Sequence, residues 1–148
     1  MRLNEVMQTD VERIAPGQTA DQAWNLMKLR QIHHLVVMDG GAVIGIVSNR
    51  DLGGARGQAL RRDRTVADLM TPHAVTARPD TTVREAANLL RGHSIGCLPV
   101  LEKNKLVGIV TITDLLVLVG RGAERPIARS TRWTMKGRGP RRKTYGVW

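Results

Sequence analysis

Ser48-Asn49-Arg50-Asp51 and Thr111-Ile112-Thr113-Asp114 each place a hydroxyl three residues ahead of a carboxylate, directly after an apolar run. A carboxylate can accept two hydrogen bonds from neighbouring hydroxyls such as those of a ribose. A Ser or Thr at a strand-to-helix junction lies close to a helix N-terminus, where free backbone N–H groups favour a phosphate. The same pairs also suit plain helix capping, and both readings stay open at this level. No Ser-His-Asp arrangement, Gly-rich phosphate loop, paired catalytic carboxylates or metal-ligand spacing accompanies them, so the chemistry expected is binding, not catalysis. His33 and His34 are adjacent, and adjacent strand residues face opposite ways, so no metal site is expected there. Cys97 stands alone, which excludes an intramolecular disulfide, and is read as a small apolar residue.

What must position these residues is a repeat. Offset by 63 residues, positions 3–52 fall on 66–115 without a gap, and fourteen of the fifty pairs are identical. The identities include Pro16/Pro79, Thr19/Thr82, Gly45/Gly108 and Asp51/Asp114. In each copy a helical turn ends near Met7 or Met70, and a short extended piece follows at 11–14 or 74–77. Thr19 or Thr82 then caps a helix with apolar residues at helical spacing. Thr82-Val83-Arg84-Glu85 has the capping-box pattern. Two strands come next, 35–38 with 43–47 and 98–101 with 106–110, joined by tight turns at Asp39-Gly40-Gly41 and Lys103-Asn104. The strands are nearly continuous apolar runs, so both faces are expected to be buried. A last helix is expected to start at Asn49 or Ile112. One unit of about 50 residues buries too little surface to stand alone, so the two copies should pack sheet to sheet. Trp24, on the first helix, is assigned to packing. The expected organisation is a first repeat over 1–58 with a Gly-rich, then basic, linker to 65, a second repeat over 66–120, and a basic tail over 121–148.

Ile95-Gly96-Cys97-Leu98-Pro99-Val100, followed by Gly108-Ile109-Val110-Thr111-Ile112-Thr113-Asp114-Leu115, resembles the cystathionine-beta-synthase (CBS) domain family. The opening Val66-Ala67-Asp68-Leu69-Met70-Thr71-Pro72 fits as well, and the first repeat shows the same frame over 32–37 and 45–52. The resemblance covers residues 3–117 and departs at Val36, where the second repeat has Pro99. It implies an α/β (α+β) fold: two β-α-β-β-α CBS repeats packed with pseudo-twofold symmetry, plus an irregular basic C-terminal tail. It also implies a homodimer and clefts for adenosine-containing ligands, with AMP, ADP or ATP ahead of S-adenosylmethionine or NADH. Carried over, one cleft combines Ser48, Arg50 and Asp51 with Met70, Thr71, Val75, Ile95, Gly96 and Cys97. The other combines Thr111 and Asp114 with Met7, Val11, Ile32, His33 and His34. The first is favoured because Gly96 and Cys97 are small and leave room for a base, while Arg50 could neutralise a phosphate. The reading is a non-enzymatic regulatory module, acting alone or on a protein partner.

The net charge of +10 is unevenly spread. Residues 121–148 hold nine Lys or Arg and one acid, leaving the remainder nearly neutral. Arg132, Trp133, Arg141, Arg142, Lys143 and Tyr145 interleave cations and rings as single-stranded nucleic-acid binders do, which supplies the competing function: a nucleic-acid-binding tail on a dimeric CBS scaffold. The aromatics docking back onto the folded part is the plainer alternative. No apolar run reaches the length of a membrane helix and the N-terminus lacks a signal-peptide pattern, so a cytoplasmic protein without membrane insertion is expected.

Overall fold

The computed structural model describes residues 1–122. The tail residues Arg132, Trp133, Arg141, Arg142, Lys143 and Tyr145 lie outside the described residues. Met1–Asp114 forms one compact unit containing both repeats, and a second unit begins at Leu115.

The first repeat opens on a 3-10 turn, Leu3–Glu5, followed by β1 (Arg13–Ile14), α1 (Ala20–Arg30), β2 (His34–Asp39) and β3 (Ala42–Ser48). A 3-10 turn at Gly54–Arg56 and the short α2 (Gln58–Arg61) lead to the second repeat. That repeat holds α3 (Val66–Leu69), β4 (Thr71–Pro72), α4 (Val83–His93), β5 (Cys97–Glu102), β6 (Lys105–Thr111) and α5 (Ile112–Gly122). The local signals act as expected. Thr19 accepts from the Gln22 N–H at 3.0 Å while Gln22 accepts from the Thr19 N–H at 2.9 Å, and Thr82 and Glu85 repeat the arrangement. Both helices end on a left-handed residue, Gln31 (φ 55°) and Ser94 (φ 54°), which are 63 apart like their caps. The hairpin turns use positive φ at Gly40 and Gly41 and at Lys103 and Asn104.

Each repeat lends its leading segment to the other. β4 pairs antiparallel with β3, Ile46 opposite Thr71, and Gln8 pairs antiparallel with Ile109 of β6. The helix starts are exchanged in the same way. The Val83 N–H donates to the Met1 carbonyl and the Ala20 N–H to the Arg64 carbonyl; Leu3 N–H donates to Thr81, and Val66 N–H to Gln18. Gly45 and Gly108 let the borrowed segments close in: a Cβ at Gly45 would lie 2.6 Å from the Thr71 carbonyl oxygen, and one at Gly108 would lie 2.5 Å from Met7 Sδ. Two apolar layers follow. Leu35, Val37 and Val47 face α1 with Ala23 and Met27. Val36 and Ile46 face the other sheet and pack with Cys97, Leu106 and Ile109. Both strand faces are therefore buried, and the repeats do meet sheet to sheet. The Val36/Pro99 departure has a visible effect: the Val36 N–H donates to the Glu12 carbonyl at 3.2 Å, whereas Pro99 has no N–H to give. The counterpart of β1 in the second repeat is reduced to one bridge, Ala77 with Val100.

Two expectations need correction. No regular helix starts at Asn49. Residues 49–53 form hydrogen-bonded turns, with Leu52 N–H donating to Ser48 and Asn49 and Gly53 N–H to Arg50. The stretch read as a basic linker contains a buried anchor: Arg61 is only 3% exposed. Its Nη1 donates to the Leu52 and Gly54 carbonyls at 2.8 Å each, its Nε lies 3.3 Å from Asp21, and its guanidinium stacks 4.2 Å from the centre of the Trp24 ring. The Gly54 carbonyl also accepts from the Gly57 N–H, so it is chiefly the Leu52 carbonyl that Arg61 satisfies, and the guanidinium holds the turns that follow Asp51. Trp24 is thus a packing residue, as expected. At the seam between the repeats, His34 stands against Gly96: a Cβ there would lie 2.8 Å from His34 Nε2.

Two outcomes follow from these contacts. Arg61→Ala leaves the Leu52 carbonyl unpartnered, takes one of two donors from the Gly54 carbonyl and removes the guanidinium from the Trp24 ring, and should lower the unfolding free energy by about 2 kcal/mol. Urea unfolding reads this directly, and a loss below about 0.5 kcal/mol, the range of an ordinary surface substitution, would show the anchor to be idle. Burial holds the His34 imidazole below its ordinary value; the neighbouring His33 adds to this and Asp51 opposes it. Below about pH 6.5 the unfolded chain binds a proton at His34 that the folded chain resists, so stability should fall as pH drops toward about 5. His34→Asn should flatten that part of the profile; an unchanged slope would place the acid sensitivity elsewhere.

Candidate functional site

The two hydroxyl–carboxylate pairs have matching geometry. Asp51 Oδ2 accepts from the Ser48 N–H at 2.9 Å, and the Asp51 N–H donates to Ser48 Oγ at 3.0 Å. Asp114 Oδ2 accepts from the Thr111 N–H at 2.8 Å, and the Asp114 N–H donates to Thr111 Oγ1 at 3.2 Å. Each pair bonds reciprocally: Thr111–Asp114 caps α5, whereas Ser48–Asp51 closes the turns over 49–53, where no regular helix follows. The bonding also fixes the carboxylate: one oxygen is tied back to the strand end, leaving the other to project. Among the described residues Asp51 Oδ1 accepts no hydrogen bond.

Around Asp51 the tertiary structure assembles residues from both repeats. Met70 and Thr71 arrive beside β3 through the exchanged strand β4. The charge of Asp51 reaches both His34 and Cys97, and His34 lies against Gly96. Met70 is thus fixed at Gly45, and Gly96 and Cys97 at the His34 side of the seam. Arg50 is exposed next to Asp51, while Val75 and Ile95 are half-buried. Burial, reinforced by the Asp51 charge, pushes the Cys97 thiol up to about 12. A thiol held protonated is no nucleophile, and Cys97 packs in the core between the sheets.

The other residue set is gathered less completely. Met7 packs on Gly108 beside β6, and Val11 joins the apolar layer between the sheets. Ile32 and His33 instead line a cavity of ≈ 350 Å³ with Met27, Lys28, Gln31 and Asn49. His34, which sequence reasoning grouped with Thr111 and Asp114, stands at Gly96 near Asp51, because the pseudo-twofold relation brings 33–34 beside 96–97. The room expected above Gly96 is accordingly bordered by an imidazole. Sequence reasoning also passed over Gln8, whose Nε2 donates to Asp114 Oδ1 at 2.9 Å. The signal was present: the 63-residue offset pairs Gln8 with Thr71, one of the residues already assigned to the first cleft. No group of three or more His, Cys, Asp or Glu suited to a metal occurs among the described residues, and none of their helices is long and apolar enough to cross a membrane.

Comparison with known proteins places this geometry. The CBS domain family profile matches residues 3–55 and 66–121. The CBS domain-containing protein YhcV of Bacillus subtilis is 32% identical over 117 residues, covering 78% of this chain and 83% of that protein. The inosine-5'-monophosphate dehydrogenase of Methanocaldococcus jannaschii is 31% identical over 118 residues, 78% of this chain, but the match spans only 23% of that enzyme. Its likeness is to the enzyme's CBS portion. Among solved structures, CBSX2 of Arabidopsis thaliana in complex with AMP superposes with a TM-score of 0.71 at 24% identity, covering 81% of this chain and 97% of that one. The CBS domain pair of protein MJ0100, in complex with 5'-methylthioadenosine and S-adenosyl-L-methionine, superposes with a TM-score of 0.74 at 23% identity, covering 82% and 97%. These matches are to CBS proteins, and none lends support to the nucleic-acid reading of the tail. Two profile matches in tandem, on a fold shared with solved CBS pairs, establish that this chain belongs to the CBS domain family.

Proposed function

We propose that this CBS pair is a non-enzymatic regulatory module that binds an adenosine-containing ligand at the Ser48–Asp51 cleft. The observation that carries the reading is the Asp51 carboxylate, held by Ser48 through one oxygen and open at the other. Adjacent ribose hydroxyls would donate to it. The base would lie against Met70, Gly96 and the His34 ring, apolar and flat surfaces brought from both repeats. His34 is neutral at pH 7 because burial opposes its charge, so it can accept or donate a hydrogen bond to a purine edge. Arg50, exposed beside Asp51, supplies a cation for phosphate, which favours AMP, ADP or ATP over S-adenosylmethionine. The AMP complex of CBSX2 and the methylthioadenosine and S-adenosylmethionine complex of MJ0100 support the ligand class. A ligand that spans both repeats and prefers one arrangement of them would shift that equilibrium, which is what a regulatory module requires.

Isothermal titration of nucleotide-stripped protein with AMP, ADP, ATP and S-adenosylmethionine tests this. One of them should bind, and Asp51→Ala should weaken it by about tenfold to a hundredfold, the effect of losing hydrogen bonds to a charged acceptor. Unchanged affinity in Asp51→Ala, or no binding by any of the four, sinks the proposal.

A further inference from the structure

The two clefts are related by the 63-residue offset, yet one residue breaks their equivalence. Thr71 and Gln8 are counterparts, each on a segment borrowed by the other repeat's sheet. Thr71 lies opposite Ile46. Gln8 lies opposite Ile109, its N–H donating to the Ile109 carbonyl and its carbonyl accepting from the Ile109 N–H, both at 2.9 Å. Met7, just before it, is packed on Gly108. The backbone of Gln8 is therefore fixed, and its side chain is aimed along β6 toward Asp114. The amide reaches the carboxylate: Nε2 donates to Asp114 Oδ1 at 2.9 Å. Asp114 Oδ2 is already taken by the Thr111 N–H, so both oxygens of Asp114 are engaged. At the first cleft the shorter Thr71 makes no such bond, and among the described residues nothing donates to Asp51 Oδ1.

We propose that Gln8 is an intramolecular lock on the Thr111–Asp114 cleft. It takes the place of the ligand hydroxyls there, so the chain binds adenosine-containing ligands unequally: readily at Asp51, and at Asp114 only when the amide is displaced. The proposal rests on the reading of Ser48–Asp51 as a ribose-binding pair. A neutral donor on a carboxylate is a bond of the strength that a ribose hydroxyl would have to replace. Breaking it should make the second cleft about tenfold weaker than it would be without Gln8. Gln8→Thr copies the open cleft and keeps the backbone bridge to Ile109, since Thr suits an extended segment.

The test is titration of the full chain with AMP, monitored for one or two classes of site, with thermal unfolding alongside to confirm that each variant is folded. Wild type should show one tight class per chain. Gln8→Thr should strengthen the second class about tenfold, and Asp114→Ala added to it should remove that class and leave the first intact. Two equal classes in wild type overturn the lock alone, as does a second class that Gln8→Thr leaves unchanged. So does a gained class that survives Asp114→Ala. Absence of AMP binding in wild type and in every variant overturns the lock and, for this ligand, the ribose-site reading beneath it.

Discussion

The backbone hydrogen bonds that each repeat takes from the other are the constraint on which the rest of the structure depends. The first N–H of α1 is satisfied by Arg64 and that of α4 by Met1. The edge of β3 is covered by β4, and the corresponding edge of β6 by Gln8. Helix starts and sheet edges are the places where backbone groups go unpartnered. In this fold the cover for one repeat is the leading segment of the other. Neither repeat is complete without its partner, which goes beyond the argument that a 50-residue unit has too little core. The apolar layer of Val36, Ile46, Cys97, Leu106 and Ile109 fills the space that the exchange encloses.

The exchange also places the clefts. Residues 70–72 of the second repeat run beside β3, which leads to Asp51; residues 7–8 of the first run beside β6, and there Gln8 reaches the Asp114 carboxylate. The residues proposed to bind the ligand lie where the two repeats adjoin. The buried Arg61 adds an asymmetry. By binding the carbonyls of Leu52 and Gly54, it holds the turns after Asp51, whereas Asp114 lies in the first turn of α5. The pseudo-symmetric frame thus carries two clefts whose surroundings differ.

Much of the fold was legible because local rules decide it. The Thr caps, the hairpin turns and the 63-residue offset all follow from near neighbours, and the structure keeps each of them, down to the left-handed ends of α1 and α4. The helix expected at Asn49 gives way at Gly53 and Gly54, which take positive φ, and Arg61, ten residues beyond Asp51, donates to the carbonyls left there. A cation in a Gly-rich, basic stretch looks solvated in sequence, and only the Trp24 ring and two carbonyls waiting for it explain its burial. The contact of His34 with Gly96 was hidden for the same kind of reason. Gly96 is 62 residues away, and the contact depends on how the two sheets cross.

By itself the sequence determined that there are two copies of one unit, most of the elements each contains, and that Ser48–Asp51 and Thr111–Asp114 hold equivalent positions. These are properties of spacing and residue type, which act over a turn of helix or a hairpin. Only the tertiary structure decided which segment completes which sheet, that Arg61 is an anchor, that His34 meets Gly96, and that Gln8 engages Asp114 while nothing among the described residues donates to Asp51 Oδ1. Each of those depends on a distance between residues far apart in the chain, set by the packing of two sheets, and no local spacing rule contains it.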